Sequence, residues 1–153
     1  MATTVTAADL TVTITESYSL NGVNYGNTMN KTFTSNGEVY QRVMTIAAQT
    51  RGANWTDIIN FGAADDAGVA DITNYKYFRI KNLDDANFLE LRVTGTVDSF
   101  FVKIKAGETF LLMDNKIDAE QSSTTVGTLT DITQIAANAD TDAIDIEFVC
   151  VTV

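Results

Sequence analysis

Carboxylates are the main stock of reactive groups in this chain: 153 residues include 20 Asp and Glu, a single Cys and no His. Without an imidazole to take the nucleophile's proton, neither a Ser–His nor a Cys–His pair can form. The usual zinc sets of His and Cys are excluded on the same ground. No Gly-rich phosphate loop occurs, since Asn21-Gly22 and Gly62 stand alone with no Gly-Lys-Thr following. Two oxygen chemistries remain. A glycosidase-type acid pair would draw on Glu90, Asp98, Glu108, Asp114, Asp118 or Glu120. Calcium would draw on Asp140-Thr141-Asp142 with Asp145, on Asp65-Asp66 or on Asp84-Asp85. Against both, Glu90 alternates outward beside Arg92, Glu108 lies in a turn, and Asp in turns is accounted for by bonds to its own backbone. The expectation is a protein that is not an enzyme, with no catalytic residue, cofactor or metal.

Aromatic side chains offer binding rather than reaction. Trp55, the only tryptophan, lies between Asn54 and Asp57 in an irregular stretch, and Tyr18, Tyr25 and Tyr40 are the tyrosines that can join it. Such rings serve as core or interface anchors, because they bury a large area and still bond through a polar tip. A sugar-stacking platform is the alternative use of the same four residues. Cys150 falls in phase with Ile144, Ile146 and Phe148, which puts it on the apolar face of a strand as a small hydrophobe.

The elements that must hold these residues read as strands. In Asp9–Thr15, Leu10, Val12 and Ile14 point one way and threonines the other, a period of two with one wet face. Tyr18–Tyr25 carries turn signals at Asn21-Gly22 and Gly26-Asn27. Thr28–Thr34, Ser35-Asn36-Gly37 and Glu38–Ala47 read as strand, hairpin turn and return strand. Between Gln49 and Thr73 the pattern breaks, and Asn54–Phe61 fits either a helical turn or a strand. Regular alternation then resumes. Tyr75–Leu83 is expected to turn Phe78 and Ile80 inward, Phe88–Thr94 Leu89, Leu91 and Val93, and Thr96–Lys105 Phe100, Val102 and Ile104. Thr109–Met113 follows the Ala106-Gly107-Glu108 turn. Asn115–Thr128 reads as loop. Leu129–Ala137 is ambiguous, with helical spacing but strand-favouring threonines, and Asp142–Val153 is the last strand.

So many short strands predict an all-β, antiparallel β-sandwich of jelly-roll or Greek-key type with few or no helices. One domain over residues 1–153 is the natural reading, with residues 1–8 as an extended N-terminal arm. A net charge of −10 disfavours nucleic acid, which needs clustered Lys and Arg. No apolar run is long enough for a membrane helix. The start of the chain shows neither a basic nor an apolar signal region, so synthesis in the cytoplasm is expected. Proline, a common means of blunting sheet edges, is absent. Lys103 and Lys105, or a neighbouring subunit, must then guard the edges.

The segments Phe78-Arg79-Ile80-Lys81-Asn82-Leu83-Asp84, Phe88-Leu89-Glu90-Leu91 and Val102-Lys103-Ile104-Lys105-Ala106-Gly107-Glu108-Thr109-Phe110 occur in that order. With the closing strand Asp142–Val149, this half of the chain resembles a module of small virion proteins of tailed bacteriophages. The resemblance covers about Tyr75–Val153 and rests on turn chemistry and alternation. It implies a β-sandwich capsid decoration (cement) protein, trimeric, on the virion surface and made in the host cytoplasm. Its partners would be the major capsid protein and its own copies. A carbohydrate- or receptor-binding module of a tail or fibre is the other role compatible with the sequence.

Overall fold

The computed structural model describes residues 6–50, 54–62, 70–71, 75–96, 99–118 and 127–152. Among these there is no helix, and the chain falls into two compact units, Met1–Gly37 and Glu38–Val153.

The first unit is an antiparallel ribbon. Strand β1 (Ala8–Glu16) pairs with β4 (Asn27–Asn36), and between them β2 (Ser19–Leu20) pairs with β3 (Val23–Asn24). Asn21 and Gly22 make the tip, both at positive φ (52° and 82°), as a two-residue hairpin turn that matches strand twist requires. Cross-strand partners give the ribbon two unlike faces. Leu10–Phe33, Val12–Lys31 and Ile14–Met29 share one face, while Thr11–Thr32, Thr13–Asn30 and Thr15–Thr28 share the other. On the polar face the Thr11 and Thr32 hydroxyls lie 3.1 Å apart. Of the expected N-terminal arm, residues 1–5 lie outside the described residues, and Ala8 already belongs to β1.

The second unit is a sandwich of two sheets. One has the order β11-β8-β15-β5, from β5 (Glu38–Ile46), β8 (Tyr75–Asn82), β11 (Thr109–Leu112) and β15 (Ile144–Thr152). The other has the order β10-β9-β14-β6-β7, from β6 (Thr56–Gly62), β7 (Ala70–Asp71), β9 (Leu89–Thr94), β10 (Ser99–Ile104) and β14 (Gln134–Ala139). Strands β12 (Lys116–Ile117) and β13 (Thr130–Asp131) add a short pair. First pairs with last (β5–β15), next with next-to-last (β6–β14), then β8 with β11 and β9 with β10. That nested pairing, folded over into two sheets, is the jelly roll.

Alternation decides the core. Phe78, Ile80, Leu89, Leu91, Val93, Ile135, Ile146 and Cys150 are fully buried between the sheets, and Phe100 and Val102 pack against them. One local expectation is corrected and two open readings are resolved. Ser35-Asn36-Gly37 closes no hairpin, because β4 pairs with β1 and β5 pairs with β15. Asn54–Phe61, which fits a helical turn or a strand, is the strand β6 from Thr56 onward. Leu129–Ala137, ambiguous from its spacing, is strand at β13 and again in β14, which is hydrogen-bonded on both edges between β9 and β6.

Candidate functional site

Two surfaces stand out, one in each unit. At the ribbon tip, the pairing of Leu20 with Val23 and Ser19 with Asn24 places Tyr18, Leu20, Val23 and Tyr25 on one face. All four are more than half exposed. The rings of Tyr18 and Tyr25 stack at 5.4 Å and 17°, and the Tyr25 N–H donates to the Tyr18 carbonyl at 3.0 Å. Four large side chains in eight residues, with nothing polar between them on that face, form an exposed apolar patch.

The second surface lies on the outer face of the five-stranded sheet. Register places Phe101, Arg92, Ala136 and Asp57 in one row across β10, β9, β14 and β6, beside the row Ser99, Thr94, Gln134 and Asn60. Trp55, just before β6, lies 5.6 Å from Phe101, and the Arg92 guanidinium sits 5.1 Å over its indole. Arg92 Nη2 donates to Gln134 Oε1 at 2.6 Å. Gln134 Nε2 in turn donates to Asp57 Oδ1 and Asn60 Oδ1, both at 3.0 Å, and Asn60 Nδ2 donates to Asp57 Oδ2 at 3.2 Å. Arg92 Nε is buried without a hydrogen-bond partner, so the indole face beside the guanidinium offsets part of its desolvation. The register shift at Ile135/Ala136 means that β6 spends an extra residue, Ile58, between Asp57 and Ile59. That bulge brings Asp57 and Asn60, an odd number of positions apart, to the same side of the sheet.

Asp57 and Asn60 also line a cleft of about 440 Å³ between β5 and β6, together with Tyr40, Arg42, Ile58 and Phe148. The Tyr40 hydroxyl donates to Glu38 Oε2 at 3.0 Å, and burial and that carboxylate push its pKa up.

The four aromatic candidates divide between the two units, Tyr18 and Tyr25 in the first and Tyr40 and Trp55 in the second. Tyr18 and Tyr25 pair with each other, Tyr40 belongs to the cleft, and Trp55 takes Phe101 and Arg92 as neighbours. Phe101 and Arg92 were not legible as site residues, because each looks like an ordinary outward position until the register aligns them.

The carboxylates are held by local bonds. Asp84 accepts from the N–H groups of Ala86 and Asn87, which lower its pKa, and Glu108 accepts from the Lys105 N–H at 3.0 Å. Asp114 accepts from the Lys116 N–H at 3.0 Å, and Asp145 from the Thr45 hydroxyl at 2.6 Å. Asp84, Asp85 and Asp145 border one open cleft of about 540 Å³. Among the described residues no three Asp, Glu or Cys groups gather closely enough to hold a metal ion. Asp65, Asp66, Asp98 and Glu120 lie outside the described residues.

No protein-family model matches the chain, and neither the curated proteins nor the solved structures contain a match to it.

Proposed function

We propose that this chain is a virion structural protein, a capsid decoration (cement) protein of a tailed bacteriophage, and not an enzyme. The observation that carries the reading is the ribbon Ala8–Asn36 with its exposed tip. A two-stranded hairpin is at best marginally stable in water by itself. Uncovered Tyr18, Leu20, Val23 and Tyr25 gain most when a partner covers them, each Val- or Leu-sized side chain contributing about 1.5–3 kcal/mol on full burial. The jelly roll supports the reading by analogy alone, since capsid and lectin domains both use it. In this role the ribbon grips the major capsid protein at the virion surface, and copies of the chain, as a homotrimer, bridge neighbouring capsomers. Strands and side-chain contact do the work, with no reacting group.

Quantitative mass spectrometry of purified virions tests it. Copies in the hundreds fit decoration. A handful of copies would move the protein to the tail, and absence from virions would end the proposal.

A further inference from the structure

We infer that the outer face of the five-stranded sheet is a binding site for a neutral, hydroxyl-rich oligosaccharide, centred on Trp55 and Phe101 and extending over Asp57 and Asn60 into the adjoining cleft. The inference is independent of the decoration role and rests on three observations.

The first is the platform. Phe101 is 57% exposed on a strand whose other aromatic, Phe100, packs against the core, and the half-buried Trp55 indole lies 5.6 Å from it. A pyranose ring presents a C–H face that packs on such rings. The second is the polar array beside the platform. From Arg92 through Gln134 to Asp57 and Asn60, guanidinium, amide, carboxylate and amide are already joined, so each holds a fixed orientation before a ligand arrives. Sugar hydroxyls both donate and accept, and a chain of alternating donors and acceptors answers vicinal pairs of them. Prior ordering also lowers the entropy cost of binding. The third is the cleft, whose volume of about 440 Å³ falls within the range of small-molecule sites, with Ile58 and Phe148 as well as Tyr40 and Arg42 in its lining.

Charge favours an uncharged ligand. Arg92 and Asp57 stand at opposite ends of Gln134 and offset each other, so the array has no net charge, and the chain's −10 disfavours an anion. A protein partner fits less well on one count, because Asp is depleted at interface centres and Asp57 stands within this array.

Trp55 is the only tryptophan, so intrinsic fluorescence reports on this site directly. The full-length protein is titrated with cellotetraose, chitotetraose and maltotetraose, with saturation-transfer NMR in parallel. A saturable change with at least one sugar is expected, weakened about tenfold or more in Phe101→Ala, since a stacked ring contributes on that order. Phe101 is exposed, so the variant is expected to melt like the parent. Gln134→Ala is expected to weaken the same sugar by removing the link between Arg92 and Asp57. No saturable response by either method overturns the inference, and so does binding that Phe101→Ala leaves unchanged. Failure to bind sugar combined with a loss of self-association in Phe101→Ala overturns it in favour of a protein interface.

Discussion

Burial determines the behaviour of single residues here. Cys150 is fully buried, and desolvation together with Glu38 pushes its thiol up to about 12. The native thiol is therefore expected to resist a disulfide reagent such as DTNB at mildly alkaline pH and to react only on unfolding. A folded pKa above the unfolded value of 9.0 means stability held below pH 9 and lost as pH rises from there toward 12. Chemical denaturation at a series of alkaline pH values checks the sign. Glu147 shows the opposite case. Arg79 lies 2.7 Å away and holds its carboxyl below 4.5, so this contribution is present above that pH and fades as the medium is acidified. The pair is about one-quarter exposed, so Glu147→Gln is expected to cost under about 1 kcal/mol at neutral pH and to flatten the acid limb. Asn82 is the most consequential polar residue. It is fully buried, donates to the carbonyls of Asn87 (2.9 Å) and Ile104 (3.2 Å), and accepts from the Asp84 N–H (3.0 Å). Asn82→Ala leaves the buried Ile104 carbonyl without this partner, opens two part-buried bonds, and is expected to cost about 1–3 kcal/mol in a urea melt.

Among the elements, the ribbon and the edge strands carry the consequences. Gly26 is the ribbon's tightest point, since a Cβ there would lie 2.6 Å from the Glu16 carbonyl oxygen. Gly26→Ala is expected to loosen the pairing of β1 and β4, read as faster amide exchange in Leu10–Phe33 with exchange in β14 unchanged. The sheet edges are managed without proline. Lys103 stands on the edge strand β10, with its ammonium 3.6 Å over the Phe88 ring, and Arg42 takes an inward-facing position on the edge strand β5 opposite Phe148. Both are charges placed where a flat apolar edge would otherwise invite pairing with another chain.

For the whole molecule, the core lies in the unit Glu38–Val153. A chain lacking residues 1–37 is therefore expected to keep a cooperative thermal transition and its near-ultraviolet signal from Trp55. On the decoration reading it also loses capsid binding, measured by co-sedimentation with virions stripped of the protein. A truncated chain that still co-sediments would remove the ribbon from the proposed role.

Period-two alternation is a local property, and by itself it determined the strands Ala8–Glu16, Tyr75–Asn82, Leu89–Thr94 and Ser99–Ile104 and their inward residues. The lack of histidine likewise bounded the chemistry without any structure. Partners were a different matter. Pairing β5 with β15 joins the two ends of the sandwich, and β14 is a strand because β6 and β9 enclose it, not because of its own spacing. The same holds for the site. Trp55, the Arg92–Phe101 pair and Gln134 stand far apart in sequence, and only the register of the strands brings them together, the bulge at Ile58 adding Asp57 and Asn60 on one side. Side-chain direction is written in each strand, whereas strand order is decided by which nested pairing lets both sheets close over one core.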